Sequence, residues 1–274
     1  MIDCTILIMT FNEEDNIGRC LDSVVGYFSR ICIVDSYSTD ETLKIVHQYP
    51  SVEIYENEFK SWGIQRNWIF SHADVSTEFV CFLDADESFE PNLVREISTL
   101  VTDNSADVGR FHVQNKFMGR VIKYAYGHPS ITRLFRTKLS PEYTSEGARE
   151  YVAVPGKEVQ FVTPLSHEDL KPLKSWLTKH ISNASREADY FNDSNKIVSG
   201  GSVKNFIRVK IWQRMPIFFR PLLYFFYRYI FRLGVLDGKA GFVFCFFQAL
   251  SYQVMISALI YESQLLDVNA TDKS

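Results

Sequence analysis

No G-x-G-x-x-G segment follows the first apolar run of this 274-residue chain, and no G-x-x-x-x-G-K-[ST] occurs anywhere. Those absences remove the glycine cradles with which dinucleotide folds and P-loop enzymes hold phosphate. No C-x-x-C pair links the five cysteines, Cys4, Cys20, Cys32, Cys81 and Cys245. A zinc ribbon and a thiol redox motif are therefore excluded. The strand-like runs around Cys4, Cys32 and Cys81 predict buried thiols in a reducing compartment. Excess positive charge is missing as well: the net charge of −4 gives no reason to expect a nucleic-acid partner. The start, MIDCTILIMTFNEE, has no basic residue ahead of its short apolar run, which predicts a first core strand rather than a signal peptide. Repeats and low-complexity tracts are absent.

What is present is unevenly spread. Residues 204–274 hold nine Lys or Arg against Asp237, Glu262, Asp267 and Asp272, so the tail is basic and the remainder acidic. From Lys204 to Arg232 seven basic residues alternate with Trp, Phe and Tyr and no acid intervenes. After LDGKAG, residues 242–261 run without a charge, a length that can cross a bilayer. Gln248, Ser251, Gln253 and Ser257 lower its hydrophobicity, and the basic aromatic segment before it has the composition of a surface binder. The expectation is peripheral membrane association through 203–261. Packing of the same aromatics back onto the protein, with the basic side chains snorkelling to water, is the competing expectation, and a single spanning helix is the third.

The first hundred residues alternate between short apolar runs at 4–9, 30–35, 51–56 and 78–84 and helical patterns near 14–27, 40–48, 62–73 and 91–100. Such alternation predicts an α/β fold with a mostly parallel central sheet flanked by helices. From 107 to 165 shorter β-like pieces predict a mixed extension, and a helix follows at about 172–192. The SGGS segment at 199–202 marks a boundary, giving a catalytic region 1–198 (halves 1–103 and 104–198) and a helical tail 203–274.

Parallel sheets bind ligands at the carboxyl ends of their strands, and three such exits are polar. Thr10, Asn12 and Glu14 follow the first run, Asp35 ends the second, and Asp84-Ala85-Asp86-Glu87 follows the fourth. In an extended segment Asp84 and Asp86 share a face, where a hard cation with oxygen ligands would relieve their repulsion. Otherwise the triplet is a solvated acidic turn. Asp40 reads as a helix cap. Asp35 has no such structural duty and can accept hydrogen bonds from a base or ribose. Arg133 and Arg136, interleaved with Leu134 and Phe135, are candidate contacts to a diphosphate or an acceptor phosphate.

The segments ILIMTFNEEDNIGRCLDSV, IVDSYSTDET and FVCFLDADESF, in that order and spacing, resemble family 2 glycosyltransferases of the GT-A fold. GIQRNWIF and TRLFR extend the resemblance. The C-terminal LGVLDGKAGFVFCFFQALSYQVMISALIYE is similar to the lipopolysaccharide inner-core β-glycosyltransferase subgroup, so the likeness covers nearly the whole chain. It implies an inverting transfer from a nucleotide-sugar, a UDP-sugar first among them, to a lipid-linked glycan on the cytoplasmic face of a bacterial inner membrane. By the same resemblance Thr10, Asn12, Glu14, Asp35, Gln65, Asn67 and Asp84 would meet the nucleotide, with Arg66 in the same segment. Asp86 and His167 would hold Mg²⁺ or Mn²⁺, and Glu150, or failing it Glu146, would be the base. A polyprenyl-phosphate sugar transferase and a catalytically silent nucleotide-sugar binder share these motifs and remain the alternatives.

Overall fold

A strand buried on both faces needs no polar alternation, and the first run obeys: Cys4 to Thr10 are all buried. The computed structural model describes residues 1–127, 129–146, 149–192, 215–216 and 219–271. Its elements in chain order are β1 (Ile2–Thr10), α1 (Ile17–Asp22), β2 (Phe28–Asp35), α2 (Thr42–Val46), β3 (Val52–Glu56), α3 (Trp62–His72), β4 (Phe79–Asp84), β5 (Glu87–Ser88) and α4 (Pro91–Asp103). Then come β6 (Val108–Phe117), β7 (Arg120–Val121), β8 (Ser130–Arg136), β9 (Tyr143–Glu146), β10 (Arg149–Val152), β11 (Glu158–Gln160), β12 (Leu165–Glu168) and α5 (Leu173–Asn192).

The main sheet runs β3-β2-β1-β4-β8-β6-β12-β5. Strands β1 to β4 pair parallel, β8 pairs antiparallel with β4 and β6, and β12 returns parallel to β6. This is the mixed extension expected beyond residue 107. Strand alternation divides the core between the two faces. Ile6 and Ile8 pack with Ile17, Leu93 and Ile97, while Leu7 and Met9 pack with Ile69, Phe82 and Phe135. Local signals set the helix ends. Ser61 Oγ accepts from the Ile64 N–H at the start of α3. Pro91 opens α4, and Asn104 closes it in the left-handed region at φ 52°. All five cysteines are buried free thiols, and burial raises the pKa of Cys4 and Cys20 well above the ordinary thiol value.

The chain divides into two compact units. The first is Met1–Val121 with His128–Ser145 and Arg149–Pro172; the second is Ile122–Gly127, Glu146–Ala148 and Leu173–Ser274. The boundary drawn at 198 from the sequence is thus corrected to Pro172/Leu173. The reason is packing: Ala184 and Ala188 of α5 bury against Ile256 and Ile260 of the C-terminal helix. The SGGS segment and Lys204–Arg214 lie outside the described residues. In the second unit a helix at Arg220–Phe226 continues through a π-turn to Phe231. A tight turn at Gly234–Asp237 follows, then helical chain from Gly238 to Thr271.

Candidate active site

Parallel register sets the strand exits level: Thr10 lies opposite Asp35, Met9 opposite Asp84, and Asp35 opposite Glu56. A cavity of about 700 Å³ opens elsewhere, beside Met1, Tyr27, Glu78 and Arg95, and contains none of the residues marked in the sequence.

At the β1 and β2 exits the polar residues bond to each other. Asp35 is fully buried, and its two oxygens accept from the Ser38 N–H at 2.7 Å and the Ser38 hydroxyl at 2.5 Å. Asn12, left-handed at φ 52°, donates its N–H to Ser38 Oγ and accepts from the Thr39 N–H, both at 2.8 Å. Glu14 is exposed and accepts from the Glu41 N–H. Thr10 Oγ1 is buried with no hydrogen-bond partner among the described residues. An orphaned hydroxyl of this kind at a ligand edge is a natural place for a ligand atom.

α3 supplies the next layer. The Gln65 carboxamide bridges Ser36 Oγ, the Asn57 carbonyl and the Asn57 side chain. Asn67 exchanges two 2.8 Å hydrogen bonds with the Tyr143 backbone. Its carboxamide therefore fixes the start of β9 and with it the β9–β10 hairpin. Arg66, 1% exposed, donates from Nη2 to Asp84 Oδ1 at 2.7 Å and from Nε to Glu150 Oε2 at 2.8 Å. Arg133 meets Asp84 Oδ2 at 2.9 Å and Glu150 Oε1 at 3.4 Å. Two cations and two anions thus form one nearly buried, charge-balanced cluster. Burial alone would raise the pKa of Asp84, but the Arg133 and Arg66 guanidiniums outweigh it and hold the carboxyl well below the usual range. The Arg66 Nη1 group is buried with no hydrogen-bond partner among the described residues. Glu150, the expected base, belongs to this cluster. The side chain of Glu146, the second choice, lies outside the described residues.

Asp86 has different neighbours. β4 ends at Asp84 and the chain turns at Ala85–Asp86, so the extended-chain rule that placed both carboxylates on one face does not apply. β5 then pairs with β12, setting Glu87 opposite His167. His167 Nε2 lies 3.4 Å from Asp86 Oδ2, and its Nδ1 is 3.0 Å from Asn115 Oδ1. Arg19 of α1 fastens the two strands together. Its guanidinium donates to the Asp86 carbonyl at 3.0 Å, to the Glu168 carboxylate at 3.0 Å and to the Glu168 carbonyl. Asn16 and Glu13 continue the fastening to Asp169, Leu170 and Lys171. Glu87 is 2% exposed and accepts from the Asp84 N–H at 2.9 Å. Burial first, then the Asp84 charge, pushes its carboxyl up to about 7 against the pull of Arg133 and His167.

Asp86 and His167 fit a divalent cation as a pair of donors. Two ligands at right angles on an octahedral ion with bonds of about 2.1 Å lie about 3.0 Å apart, close to the 3.4 Å seen. The carbonyl of Asn115 facing Nδ1 favours the tautomer that leaves Nε2 for metal. Among the described residues no group of three or more His, Cys, Asp or Glu gathers as a metal set.

Arg136 requires correction. It pairs in register with Phe79, at the amino end of β4, and is held by Asp107 at 2.8 Å, by Glu78 and by Asn104 over the Phe79 ring. Three positions along a strand put Arg133 and Arg136 on opposite faces, and antiparallel β8 carries Arg136 away from the ligand edge. Arg133 is at that edge, already bonded to carboxylates. Arg19, Glu13 and Asn115 were not marked in the sequence. The one available signal was charge balance, since an edge so rich in acids calls for buried cations.

A family model described as Glycosyl transferase family 2 matches residues 5–149. The SPbeta prophage-derived glycosyltransferase SunS of Bacillus subtilis (strain 168) is 39% identical over 90 residues, 32% of this chain and 20% of SunS. The poly(ribitol-phosphate) beta-N-acetylglucosaminyltransferase TarS of Staphylococcus aureus (strain Mu50) is 25% identical over 116 residues, 39% of this chain and 20% of TarS. The matched segment thus spans about a fifth of either relative. Among solved structures, S. aureus TarS 1–349 with UDP-GlcNAc superposes with a TM-score of 0.49 at 14% identity, covering 96% of this chain and 91% of that one. The mannosyltransferase PcManGT from Pyrobaculum calidifontis, with GDP-Man and Mn²⁺, gives 0.48 at 15% identity over 97% and 87%.

Proposed function

The chain belongs to glycosyl transferase family 2 and has the GT-A fold of that family, and on that premise we propose that it moves a sugar from a nucleotide-diphosphate donor to an acceptor hydroxyl with inversion. The observation that carries the reading is the Asp86–His167 pair, 3.4 Å apart at the carboxyl edge of the sheet. Those two side chains would hold Mg²⁺ or Mn²⁺. When bound, the cation supplies Lewis-acid stabilisation of the leaving diphosphate. Thr10 Oγ1 and Arg66 Nη1, both buried and without hydrogen-bond partners among the described residues, suit the nucleotide and its phosphates. The acceptor oxygen attacks the anomeric carbon as the bond to the diphosphate breaks, and the electron pair leaves with the diphosphate. The hydroxyl proton passes to a carboxylate, which we assign to Glu150, oriented by Arg66 and Arg133.

A UDP-sugar is the first donor to test. We assign the acceptor to the lipid-linked glycans, with lipopolysaccharide core as the leading case, and the site of action to the cytoplasmic face of the membrane. The basic aromatic tail supports this reading. The test is release of nucleoside diphosphate from a panel of UDP-, GDP-, ADP- and dTDP-sugars with Mn²⁺ or Mg²⁺. Turnover of one donor, abolished by chelation and by Asp86→Asn, is expected. Tight nucleotide-sugar binding without turnover of any donor, even with lipid-linked acceptor added, would make the protein a binder and overturn the proposal.

A further inference from the structure

The second unit carries an apolar surface for which sugar transfer has no use. In the turn between its helices Phe231 is 78% and Leu236 60% exposed, and Tyr227, Ile230, Leu233 and Val235 are exposed beside them. The turn is held rigidly. The Asp237 carboxylate accepts the backbone N–H groups of Lys123, Tyr124 and Ala125 at 2.8 to 3.2 Å. Leu233 is left-handed at φ 59°. A Cβ on Gly234 would lie 2.8 Å from the Arg228 carbonyl oxygen and 3.0 Å from Ala125, and one on Gly241 would strike the Gly234 carbonyl. A protein that fixes so many exposed apolar side chains in place has already met the ordering cost of docking them.

Charge says what they dock into. Asp237 is the one acid between Lys204 and Tyr261, and its oxygens are engaged by backbone N–H groups. Arg228, Arg232 and Lys239 surround the turn in sequence, and Lys204, Arg208, Lys210 and Arg214 precede it. An apolar wedge flanked by cations fits the interfacial layer of an anionic phospholipid membrane.

We propose that the Tyr227–Leu236 turn is a membrane wedge that enters one leaflet of an anionic bilayer, with the following helix lying at the surface. That helix, Gly234–Glu262, has the length and the mean hydropathy, 1.8, to cross a membrane. However, it buries Phe244, Cys245, Ala249, Ile256 and Ile260 inside its own unit, the last two against Ala184 and Ala188 of α5. α5 carries Lys174, Lys179, Arg186, Glu187 and Asp189. A crossing helix would have to carry those charges into hydrocarbon or abandon its partner, and both are costly.

This deepens the membrane side of the function proposed above. Its test reads lipid binding without donor or acceptor, so failure here and failure of sugar transfer are separable. The full chain is floated with vesicles of zwitterionic phospholipid alone and with about a third anionic phospholipid added. Binding to the anionic vesicles, weakening as salt rises, is expected. Phe231→Ser with Leu236→Ser should cut partitioning about a hundredfold or more at unchanged melting temperature, and Lys239→Ala about fivefold. Equal binding by the double variant overturns the wedge. Resistance of the membrane-bound protein to alkaline carbonate also overturns it, in favour of a spanning helix. So does a dimer in solution that the same double variant dissociates, without vesicle binding, because the patch would then face a second copy.

Discussion

Asp84 and Asp86 are two residues apart yet sit among opposite kinds of neighbour. Asp84 faces two guanidiniums, which are permanent cations and cannot ligate a metal. Asp86 faces the imidazole of His167, which can coordinate a metal in its neutral form. The turn at Ala85–Asp86 makes the division, sending the second carboxylate toward β12 while the first stays with α3 and β8. A motif that reads as one acidic triplet therefore divides in two: a charge-balanced brace around Asp84 and the Asp86–His167 pair that we assign to the cation. The third acid, Glu87, lies beneath both as a buried acceptor for the Asp84 N–H.

That division can be broken from either side. Arg66→Met should have the largest effect on folding. It strands Asp84 and Glu150 beside a single guanidinium, and loss of one partner from a buried ion cluster costs about 3–5 kcal/mol, read as a lowered midpoint in urea. Asp86→Asn should leave that midpoint within about 1 kcal/mol but reduce sugar transfer roughly a thousandfold, about 4 kcal/mol of transition-state stabilisation. If Asp86→Asn unfolds the protein and Arg66→Met does not, the roles are reversed.

Glu87 sharpens the comparison through pH. A carboxyl whose folded pKa is raised gives stability that is full below its unfolded value near 4.5 and is lost as pH rises through about 7. Glu87→Gln keeps an acceptor for the Asp84 N–H and cannot ionise. It should gain up to about 3 kcal/mol over the parent at pH 8 and nothing at pH 4. Asp84 has the opposite sign: its folded pKa is depressed, so its stability is present at neutral pH and lost as pH falls below the ordinary carboxylate range in both proteins. Melting curves from about pH 2 to 8 separate the two. The smallest effect expected is from Asn115→Ala, which frees the His167 ring. About tenfold weaker metal activation with unchanged maximal rate is expected, and an unchanged metal titration would remove Asn115 from the site.

Much of the first hundred residues was legible because short apolar runs alternate there with longer polar stretches. The apolar run expected at 78–84 is β4 at Phe79–Asp84, and the helical pattern expected near 91–100 is α4 at Pro91–Asp103. The polar exits were legible too, since a parallel sheet gathers its strand ends. Which partner each exit residue would take was not. Asp84 meets Arg66 and Arg133 across tens of residues, and Arg19 reaches Glu168 across 149. Spacing along the chain carries no record of such pairings. Arg136 shows the cost of reading two neighbouring arginines together, because strand direction, which a sequence does not reveal, decided which of them reached the edge. His167 was marked by family resemblance alone; its pairing with Asp86 depends on β5, a two-residue strand too short to detect by pattern.

That short strand also sets a schedule. Asp86 leaves the ribosome early, and His167 follows about eighty residues later, after β6, β8 and the β9–β10 hairpin. Because β12 lies between β6 and β5 in the sheet, the pair that we assign to the cation needs a strand made about eighty residues after Asp86. Non-local pairings of this kind close late and slowly. A nascent chain stopped before Leu165 would hold the residues of the brace around Asp84 but lack the imidazole, so on our assignment the growing polypeptide could not offer this pair to a cation before β12 is made.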